Sequence, residues 1–379
     1  MSITFFRRLS GIVSRLILGV SLWFTAPAAF AAYGLNFQKP VTPIGHKLLE
    51  LHNLILIICV VIFVIVFGFM FYSIFAHRKS RGHKAAQFHE NTTLEVVWTV
   101  IPFVILVSMA LPSTATLIEM DDTSKSDLTV KITGYQWKWK YDYPDHDFGY
   151  FSSLSTPRDQ IENKATKGEH YLLQVDNPIV LPVGKKVRLL VTANDVIHSW
   201  WVPQLGTKKD AIPGFINEIW TRIDEPGIYR GQCAELCGKD HGYMPIVVTA
   251  VSAEDFTKWV AAQKDKAAAD SAGGAKTWSK DDLMEKGKKV YATTCAACHG
   301  ANGEGVGPFP KMIGSKIANG PLADHMNIVM HGKAGTAMQA FAAQLSDTDL
   351  AAVVTFERNG FGNKAGDTVQ PSQVKALRK

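Results

Sequence analysis

The sequence predicts a multidomain membrane protein in which a two-helix transmembrane hairpin is followed by an all-β domain and then by an all-α domain. Two long apolar segments lie before residue 118. Runs rich in β-branched and aromatic residues, separated by proline and glycine, begin near Leu128. Amphipathic helical patterns begin near Trp278. A chain of 379 residues has room for all three parts.

Residues 1–31 have the layout of an export signal that is cleaved after Ala31. Arg7, Arg8 and Arg15 form a basic start, an apolar run covers residues 16–24, and small residues precede the cleavage position. The alternative is an uncleaved anchor helix. The apolar run is too short to cross a bilayer core of about 30 Å, which favours cleavage.

The hairpin is expected over residues 40–117, with helices at about 48–75 and 94–117. Each segment reaches the roughly 20 residues that a membrane helix needs. The loop between them is basic, with Arg78, Lys79, Arg81 and Lys84. Short basic loops stay in the cytoplasm, so everything after residue 118 is expected on the periplasmic or extracellular side of the membrane.

The exported part divides into two domains and a linker. Strand patterns over residues 118–260 predict a β-sandwich or barrel that ends in a short helix capped by Ser252. The small, polar and repetitive composition of residues 261–277 predicts a flexible linker. Residues 278–379 predict a helical domain, with one helix starting near Ser346 and a loosely structured tail.

The charge of the chain is unevenly distributed. Residues 118–260 carry 20 acidic against 16 basic side chains, a net charge of −4. Residues 276–379 carry 13 basic against 9 acidic side chains, a net charge of +4. This distribution does not suit a nucleic-acid binder, and it predicts that the two exported domains attract each other.

The five cysteines differ in what their surroundings predict. Cys59 lies within the first membrane helix and is interpreted as a small apolar filler. Export exposes the other four to an oxidising compartment, so disulfides are the first alternative for both pairs. However, Cys295, Cys298 and His299 form the CxxCH signature of covalent haem attachment, in which two thiols bind the vinyl groups and the histidine binds the iron.

The haem iron needs a sixth ligand, and methionine raises its reduction potential. The candidates are Met312, Met326, Met330 and Met338. Met338 lies about forty residues after the attachment site and just before the helix expected near Ser346. We therefore expect Met338 to be the ligand.

The stretch GQCAELCGKDHGYMP, residues 231–245, concentrates ligands for a soft metal. A zinc site has little use for the thioether of Met244. A mononuclear blue-copper site needs one thiolate, whereas this loop holds Cys233 and Cys237. Two thiolates can instead bridge two copper ions. Each ion then needs one imidazole and one weaker ligand, which His198, His241, the Met244 sulfur and the Glu235 carbonyl would supply.

The chain resembles subunit II of the haem–copper cytochrome c oxidases from about residue 40 to 260. The motifs YQWKWKYDYP, VIHSWWVPQLGTKKDAIPG and YRGQCAELCGKDHGYMPIVV carry the resemblance. It implies a cupredoxin-like Greek-key domain that holds a dinuclear copper centre, with ligands His198, Cys233, Glu235, Cys237, His241 and Met244.

The tail resembles the bacterial class I cytochromes c from about residue 283 to 360. This resemblance implies an all-α domain with one covalent haem c, and it assigns the Pro308 carbonyl as the group that steadies His299. The ligand motif is usually Met-Pro in these proteins, whereas this chain has Met338-Gln339.

The resemblance to subunit II implies three further sites. Trp137 matches the aromatic residue through which electrons enter the copper centre; the alternative is a core tryptophan. The Glu235 side chain matches a ligand of a magnesium ion shared with subunit I; the alternative is a solvated loop carboxylate. Glu95 matches the mouth of a proton path into subunit I, although an acidic residue is also favourable at any helix N-terminus.

The implied function is electron input to a proton-pumping respiratory oxidase. Electrons would come from a soluble or membrane cytochrome c or another periplasmic donor, and the partners would be the lipid bilayer, subunit I and subunit III. An electron carrier or sensor without a catalytic partner is a second hypothesis, and a multicopper reductase such as nitrous oxide reductase is a third. The membrane hairpin favours the oxidase over that reductase. The complete copper ligand set favours cytochrome c over quinol as the electron source.

Overall fold

The computed structural model describes residues 34, 36–82, 84 and 86–378, so the expected signal peptide lies outside the described residues. Among these residues, two helices are long and apolar enough to cross a membrane, α1 (Pro43–Ala76) and α2 (Thr92–Asp121). Both expected membrane helices are present, and each begins earlier than predicted. Thr42 caps α1 by accepting a hydrogen bond from the Gly45 amide, and Asn91 caps α2.

Helix α1 is long enough to connect the membrane to the β domain. Its 34 residues span about 51 Å, which exceeds a hydrocarbon core of about 30 Å. The Thr42 hydroxyl donates a hydrogen bond to the Leu205 carbonyl at 2.8 Å. A Cβ on Gly206, whose φ is +65°, would lie 2.8 Å from the Gly45 Cα, so glycine is needed for this close approach. The first turn of α1 is therefore packed against the β domain.

The β domain is a sandwich of two five-stranded sheets. Trp139, Leu189, Trp200 and Ile246 are fully buried between them. The sheet orders are β3-β2-β1-β5-β8 and β4-β10-β9-β6-β7. The strands are β1 (Leu128–Tyr135), β2 (Lys138–Tyr143), β3 (Phe148–Ser152), β4 (Ile179–Pro182), β5 (Val187–Ala193), β6 (His198–Val202), β7 (Thr207–Ala211), β8 (Asn217–Thr221), β9 (Gly227–Cys233) and β10 (Pro245–Val251), and a short helix α3 (Arg158–Ile161) follows β3.

The expected flexible linker is wrong, because helix α4 runs without interruption from Ala253 to Ala275. Ser252 caps this helix as predicted by accepting a hydrogen bond from the Asp255 amide. The segment read as a linker is rich in alanine, the strongest helix former, and it only has to extend a helix that is already nucleated. Composition suggested disorder, whereas propensity and capping favour helix.

The C-terminal domain contains the helices α5 (Lys280–Thr294), α6 (Ala296–His299), α7 (Leu322–His331), α8 (Asp347–Asn359) and α9 (Pro371–Leu377). Helices α5 and α8 cross at Gly287, where a Cβ would lie 2.1 Å from the Ala352 carbonyl oxygen. The prediction of a loosely structured tail is wrong. Val369 and Val374 are fully buried in the core of this domain.

Candidate functional site

The sheet brings two distant parts of the chain to one end of the sandwich. Strand β6 begins at His198, and β9 ends at Cys233. The two strands are antiparallel neighbours with Trp200 opposite Cys233, so the start of one strand lies beside the end of the other. Gly134 on β1 makes room for the histidine ring, because a Cβ there would lie 2.7 Å from the His198 Cδ2.

The two cysteines of the loop after β9 face each other. Both are buried and free, and their Sγ atoms lie 3.9 Å apart. This separation is far longer than the about 2 Å of a disulfide bond. The structure therefore presents two thiols side by side rather than the disulfide that was the first alternative.

Each thiol also faces one imidazole. The Cys233 Sγ lies 3.9 Å from the His198 Nδ1, and the Cys237 Sγ lies 3.4 Å from the His241 Nδ1. His241 occupies a short 3-10 turn, His241–Tyr243, just before β10. The pairing gives two halves of similar composition, each with a sulfur and a ring nitrogen.

The two weaker candidate ligands lie beside the same thiols. The Glu235 carbonyl oxygen is 3.4 Å from the Cys233 Sγ. Met244 is 1% exposed, and its carbonyl accepts a hydrogen bond from the Cys233 amide at 3.1 Å. The loop therefore folds back on itself, with Cys233, Cys237 and Met244 buried, His241 half-buried and the Glu235 side chain exposed.

Asp195 is a functional residue that the sequence reasoning missed. Its Oδ1 lies 2.8 Å from the His198 Nε2, which leaves Nδ1 directed toward the thiols. Its Oδ2 accepts a hydrogen bond from the Gln136 amide at 2.8 Å. Outer-shell carboxylates of this kind orient metal-binding histidines. The signal was available as an aspartate three residues before His198.

The pKa shifts of the two cysteine thiols favour a bound cation beside them. The hydrogen bond from Cys237 lowers the pKa of the Cys233 thiol, although burial opposes it. The same interaction, together with burial, raises the pKa of the Cys237 thiol. The pair thus readily holds one negative charge, whereas a second thiolate needs a positive ion beside it.

The donor set fits copper. Two thiols, two imidazole nitrogens and the Glu235 carbonyl oxygen lie close together, and the buried Met244 belongs to the same loop. Thiolate, thioether and imidazole donors suit copper.

The second candidate site is the haem-attachment segment of the C-terminal domain. Cys295 follows α5, and Cys298 and His299 end the short helix α6. The His299 Nδ1 lies 2.7 Å from the Pro310 carbonyl oxygen, which leaves Nε2 for the iron. The assignment of this contact to Pro308 is therefore wrong. The two prolines are separated only by Phe309, and the chain turn between Val306 and Phe309 brings the second proline to the ring.

The four candidate methionines lie in different surroundings. Met326 and Met330 on α7 are each 1% exposed and pack in the domain core, and Met312 is 9% exposed. Met338 is half-buried in the loop between α7 and α8, where its amide donates a hydrogen bond to the Thr336 hydroxyl at 3.2 Å. The core methionines already fill a packing role, which favours Met338 as the iron ligand.

Trp137 lies against the copper loop. Its Nε1 donates a hydrogen bond to the Cys237 carbonyl oxygen at 3.2 Å, and the Gln136 side-chain amide donates to the same oxygen at 2.7 Å. The next residue, Gly238, has a φ of +114°, and a Cβ there would lie 2.9 Å from the Gln136 Nε2. This glycine allows the two side chains to reach the loop.

The comparisons with known proteins agree with this architecture. The family model for the periplasmic domain of cytochrome c oxidase subunit II matches residues 128–251, and the model for its transmembrane domain matches residues 31–116. The model for subunit III of cbb3-type cytochrome c oxidase matches residues 282–356. A probable cytochrome c oxidase subunit 2 from Rickettsia conorii is 46% identical over 234 residues, which are 62% of this chain and 73% of the relative.

The chain belongs to the cytochrome c oxidase subunit II family. The subunit 2 of Cyanidium caldarium is also similar, with 40% identity over 231 residues that cover 60% of this chain and 89% of that protein. The crystal structure of the periplasmic domain of subunit II from Bradyrhizobium japonicum shares 43% identity over 38% of this chain and 98% of that domain, with a TM-score of 0.35.

This oxidase subunit II carries a fused C-terminal cytochrome c domain, as the sequence predicted. Membership of the family implies a copper centre, and the buried group of His198, Cys233 and Cys237 is consistent with one. The C-terminal cytochrome domain implies a haem. The chain is thus a membrane-anchored subunit that serves electron input in a haem–copper oxidase.

The structure does not bring every candidate residue of subunit II together. Glu95 lies in the first turn of α2. The other end of this helix contacts the β domain, because the Glu119 carbonyl accepts a hydrogen bond from the Trp220 indole at 2.8 Å. The helix separates the two glutamates by roughly 36 Å along its axis. The Glu235 side chain is exposed beside the copper site.

Proposed function

We propose that this subunit receives electrons from a cytochrome c or another periplasmic donor and delivers them to subunit I of a proton-pumping oxidase. The cofactors would be a covalent haem c and a dinuclear copper centre, both of which carry single electrons. The pairing of two buried thiols, each with its own imidazole, carries the proposal, because electron transfer without proton or ligand exchange needs such a closed, preformed site.

The copper centre would be held by six residues of the β domain. Cys233 and Cys237 would bridge the ions, and an imidazole would complete each half of the site. Met244 and the Glu235 carbonyl would be the weaker ligands. The full set is His198, Cys233, Glu235, Cys237, His241 and Met244. The distances of 3.4–3.9 Å from the Cys233 and Cys237 sulfurs to neighbouring donors support this assignment.

The haem would be held entirely by the C-terminal domain. Cys295 and Cys298 would form the thioether bonds, and His299 and Met338 would bind the iron. The hydrogen bond between the His299 Nδ1 and the Pro310 carbonyl supports this role, because it fixes the tautomer and the orientation of the ring.

Trp137 would be the residue through which electrons enter the copper site. Its indole contacts the backbone of Cys237 directly through a hydrogen bond of 3.2 Å. A core tryptophan is typically enclosed by apolar side chains, whereas Trp137 is half-buried at the edge of the metal loop. Both features support the electron-transfer role over the packing role.

The partner beside the copper site would be subunit I, with subunit III as a further neighbour in the complex. Val196, Ile197 and Leu236 flank the copper ligands in sequence and are exposed, with 37%, 45% and 77% of their surface accessible. Exposed apolar side chains at this position favour a protein partner. The exposed Glu235 carboxylate would bind a magnesium ion shared with that partner.

The basic loop of the hairpin supports the proposed orientation. Lys79 and Arg81 in the loop between α1 and α2 favour the cytoplasm, so the domains over residues 118–260 and 278–379 would be periplasmic, on a bacterial plasma membrane. Glu95 would then lie at the cytoplasmic end of α2, where a proton path into subunit I could begin.

The test is copper and haem analysis of the purified full-length chain, combined with its electron paramagnetic resonance spectrum. We expect two copper ions, one covalent haem and a mixed-valence copper signal. Cys233→Ser and Cys237→Ser should each abolish that signal, because a bridge needs both thiolates. Exposed Cys59→Ser is the matched control and should retain it. A mixed-valence signal that survives in either loop variant would refute the shared bridge.

A further inference from the structure

The cytochrome domain contacts the copper domain through polar side chains next to Trp137. The Lys239 ammonium donates a hydrogen bond to the Ala297 carbonyl oxygen at 3.0 Å. The Gln339 side-chain amide donates to the Gln136 carbonyl oxygen at 3.2 Å. Each domain supplies the donor of one of these hydrogen bonds. The two contacts together restrain both the position and the rotation of the docked domain.

A third contact places one lysine between two aromatic rings. The Lys138 ammonium lies 4.8 Å from the ring centroid of Phe151 in its own domain. It also lies 5.7 Å from the ring centroid of Phe341 in the cytochrome domain. The cytochrome domain therefore covers the segment that contains Trp137.

The face that the cytochrome domain presents is the face of its haem-binding segments. Ala297 lies between the two attachment cysteines, and Gln339 directly follows Met338. Phe309, whose ring centroid is 6.0 Å from the Lys239 ammonium, directly precedes Pro310. All three contact segments are therefore those that would surround the haem.

The face that the copper domain presents is equally close to its metal loop. Lys239 is two residues after Cys237. Gln136 accepts from Gln339 at its carbonyl and donates from its side chain to the Cys237 carbonyl at 2.7 Å. A continuous series of hydrogen bonds therefore joins the residue after Met338 to a proposed copper ligand.

We infer that Lys239 and Gln339 are positioning residues that dock the cytochrome domain on the copper loop in the orientation needed for electron transfer within the chain. This inference rests on the proposed function for its purpose, but the docking itself is a separate property. The step that it serves moves one electron from the reduced haem to the oxidised copper centre, and no covalent bond forms or breaks. Neither residue is a ligand, since each acts through the placement of neighbouring segments.

The nature of the contacts sets their response to salt. Within the described part of the chain, no ion pair joins the two domains, because Lys239 and Lys138 meet a carbonyl and aromatic rings. The opposite net charges of the two domains therefore do not form ion pairs at these contacts. Short-range contacts of this type are screened much less than long-range attraction between exposed charges, so docking should persist at high ionic strength.

The experiment uses the full chain in its oxidase complex, with two independent readouts. Hydroxyl-radical footprinting measures the exposure of Phe309 and Phe341, which does not depend on turnover. Rapid photoreduction of the haem then measures the rate of copper reduction. The variants are Lys239→Met and Gln339→Ala, the second of which lies outside the copper loop. Lys208→Met, which removes the same charge from an exposed lysine on β7, is the matched control.

We expect Lys239→Met to raise the footprinting rates of Phe309 and Phe341 and to slow copper reduction about threefold to tenfold, since one solvent-exposed hydrogen bond is lost. Gln339→Ala should act in the same direction, and Lys239→Arg should restore both readouts. Unchanged footprinting in the double variant Lys239→Met/Gln339→Ala would overturn the inference. Changed footprinting in a chain whose wild type shows no haem-to-copper transfer would uphold the docking and refute the proposed function.

Discussion

The indole Nε1 of Trp137 donates a hydrogen bond to the carbonyl oxygen of Cys237 at 3.2 Å. This bond joins the surface covered by the cytochrome domain to the backbone of a proposed copper ligand. The same oxygen also accepts from Gln136, so two neighbouring side chains hold the metal loop at one point.

Trp137→Phe should separate the role of the indole from that of the metal site. The substitution removes the N–H group and keeps an aromatic ring, so copper content and the copper spectrum should be unchanged while copper reduction slows. Rapid photoreduction of the haem provides the measurement. Trp201→Phe, at a 38% exposed tryptophan on β6, is the control and should leave the rate unchanged. An unaltered rate in Trp137→Phe would support the core-tryptophan interpretation.

Asp195→Asn should weaken copper binding, because the carboxylate orients His198 and also accepts from the Gln136 amide. Loss of such an outer-shell partner typically lowers metal affinity about 10- to 100-fold. Competition with a copper chelator of known affinity would measure the change. Asp210→Asn, at a half-buried aspartate on β7 that pairs with Lys208, should bind copper normally. Wild-type affinity in Asp195→Asn would show that His198 is oriented by its packing alone.

Met338→Ala should leave the haem covalently attached, since the thioether bonds need only Cys295 and Cys298. The iron should become high-spin or histidine-only, with a lower reduction potential, because methionine raises the potential of a haem. The near-infrared sulfur–iron band and a redox titration would report the change. Met330→Ala is the comparison variant, since that methionine is buried in the core. A band that persists in Met338→Ala and disappears in Met330→Ala would move the assignment to Met330.

Docking of the cytochrome domain should become stronger as the pH rises above about 8. Burial lowers the pKa of Lys138 from 10.5 to about 8, although Cys295, Asp176 and Asp195 act in the opposite direction. The docked state therefore binds fewer protons than an exposed lysine would, so the gain extends from about pH 8 toward 10.5. Below pH 8 the effect should be flat.

Footprinting of Phe341 between pH 7 and pH 10 would measure this dependence. Protection should increase across the interval in the wild type and stay constant in Lys138→Met, which has no titrating group. Lys131→Met, on β1 of the same domain, is the matched control and should retain the wild-type profile. A rise of equal size in Lys138→Met would assign the dependence to another group.

The sequence was most informative where chemistry restricts the choice of residue. Cys295, Cys298 and His299 form a motif with one established geometry, and two cysteines with a nearby methionine left few metals to consider. The hairpin was equally clear, because membrane-spanning length and a basic loop are local properties. These predictions needed no knowledge of how distant segments meet.

Prediction was poorer where the outcome depends on competition between distant groups. Residues 261–275 looked like a linker by composition, but helix propagation from Ser252 is favoured once the segment is nucleated. Pro308 and Pro310 are equivalent by spacing, and only the turn of the loop decides which carbonyl meets His299. The contact between Gln339 and Gln136 joins residues 203 positions apart, which no local pattern can indicate.

Electron transfer from the haem to the copper centre of the same chain can be tested by the rate of copper reduction after a pulse that reduces only the haem of the intact oxidase. It should be followed at several protein concentrations and at low and high salt. Transfer within the chain predicts a first-order rate that is independent of protein concentration and nearly independent of salt, because the domains are joined by α4 and by contacts that are not ion pairs. A rate that grows in proportion to protein concentration and collapses at high salt would show instead that a separate carrier delivers the electrons, and it would contradict the account.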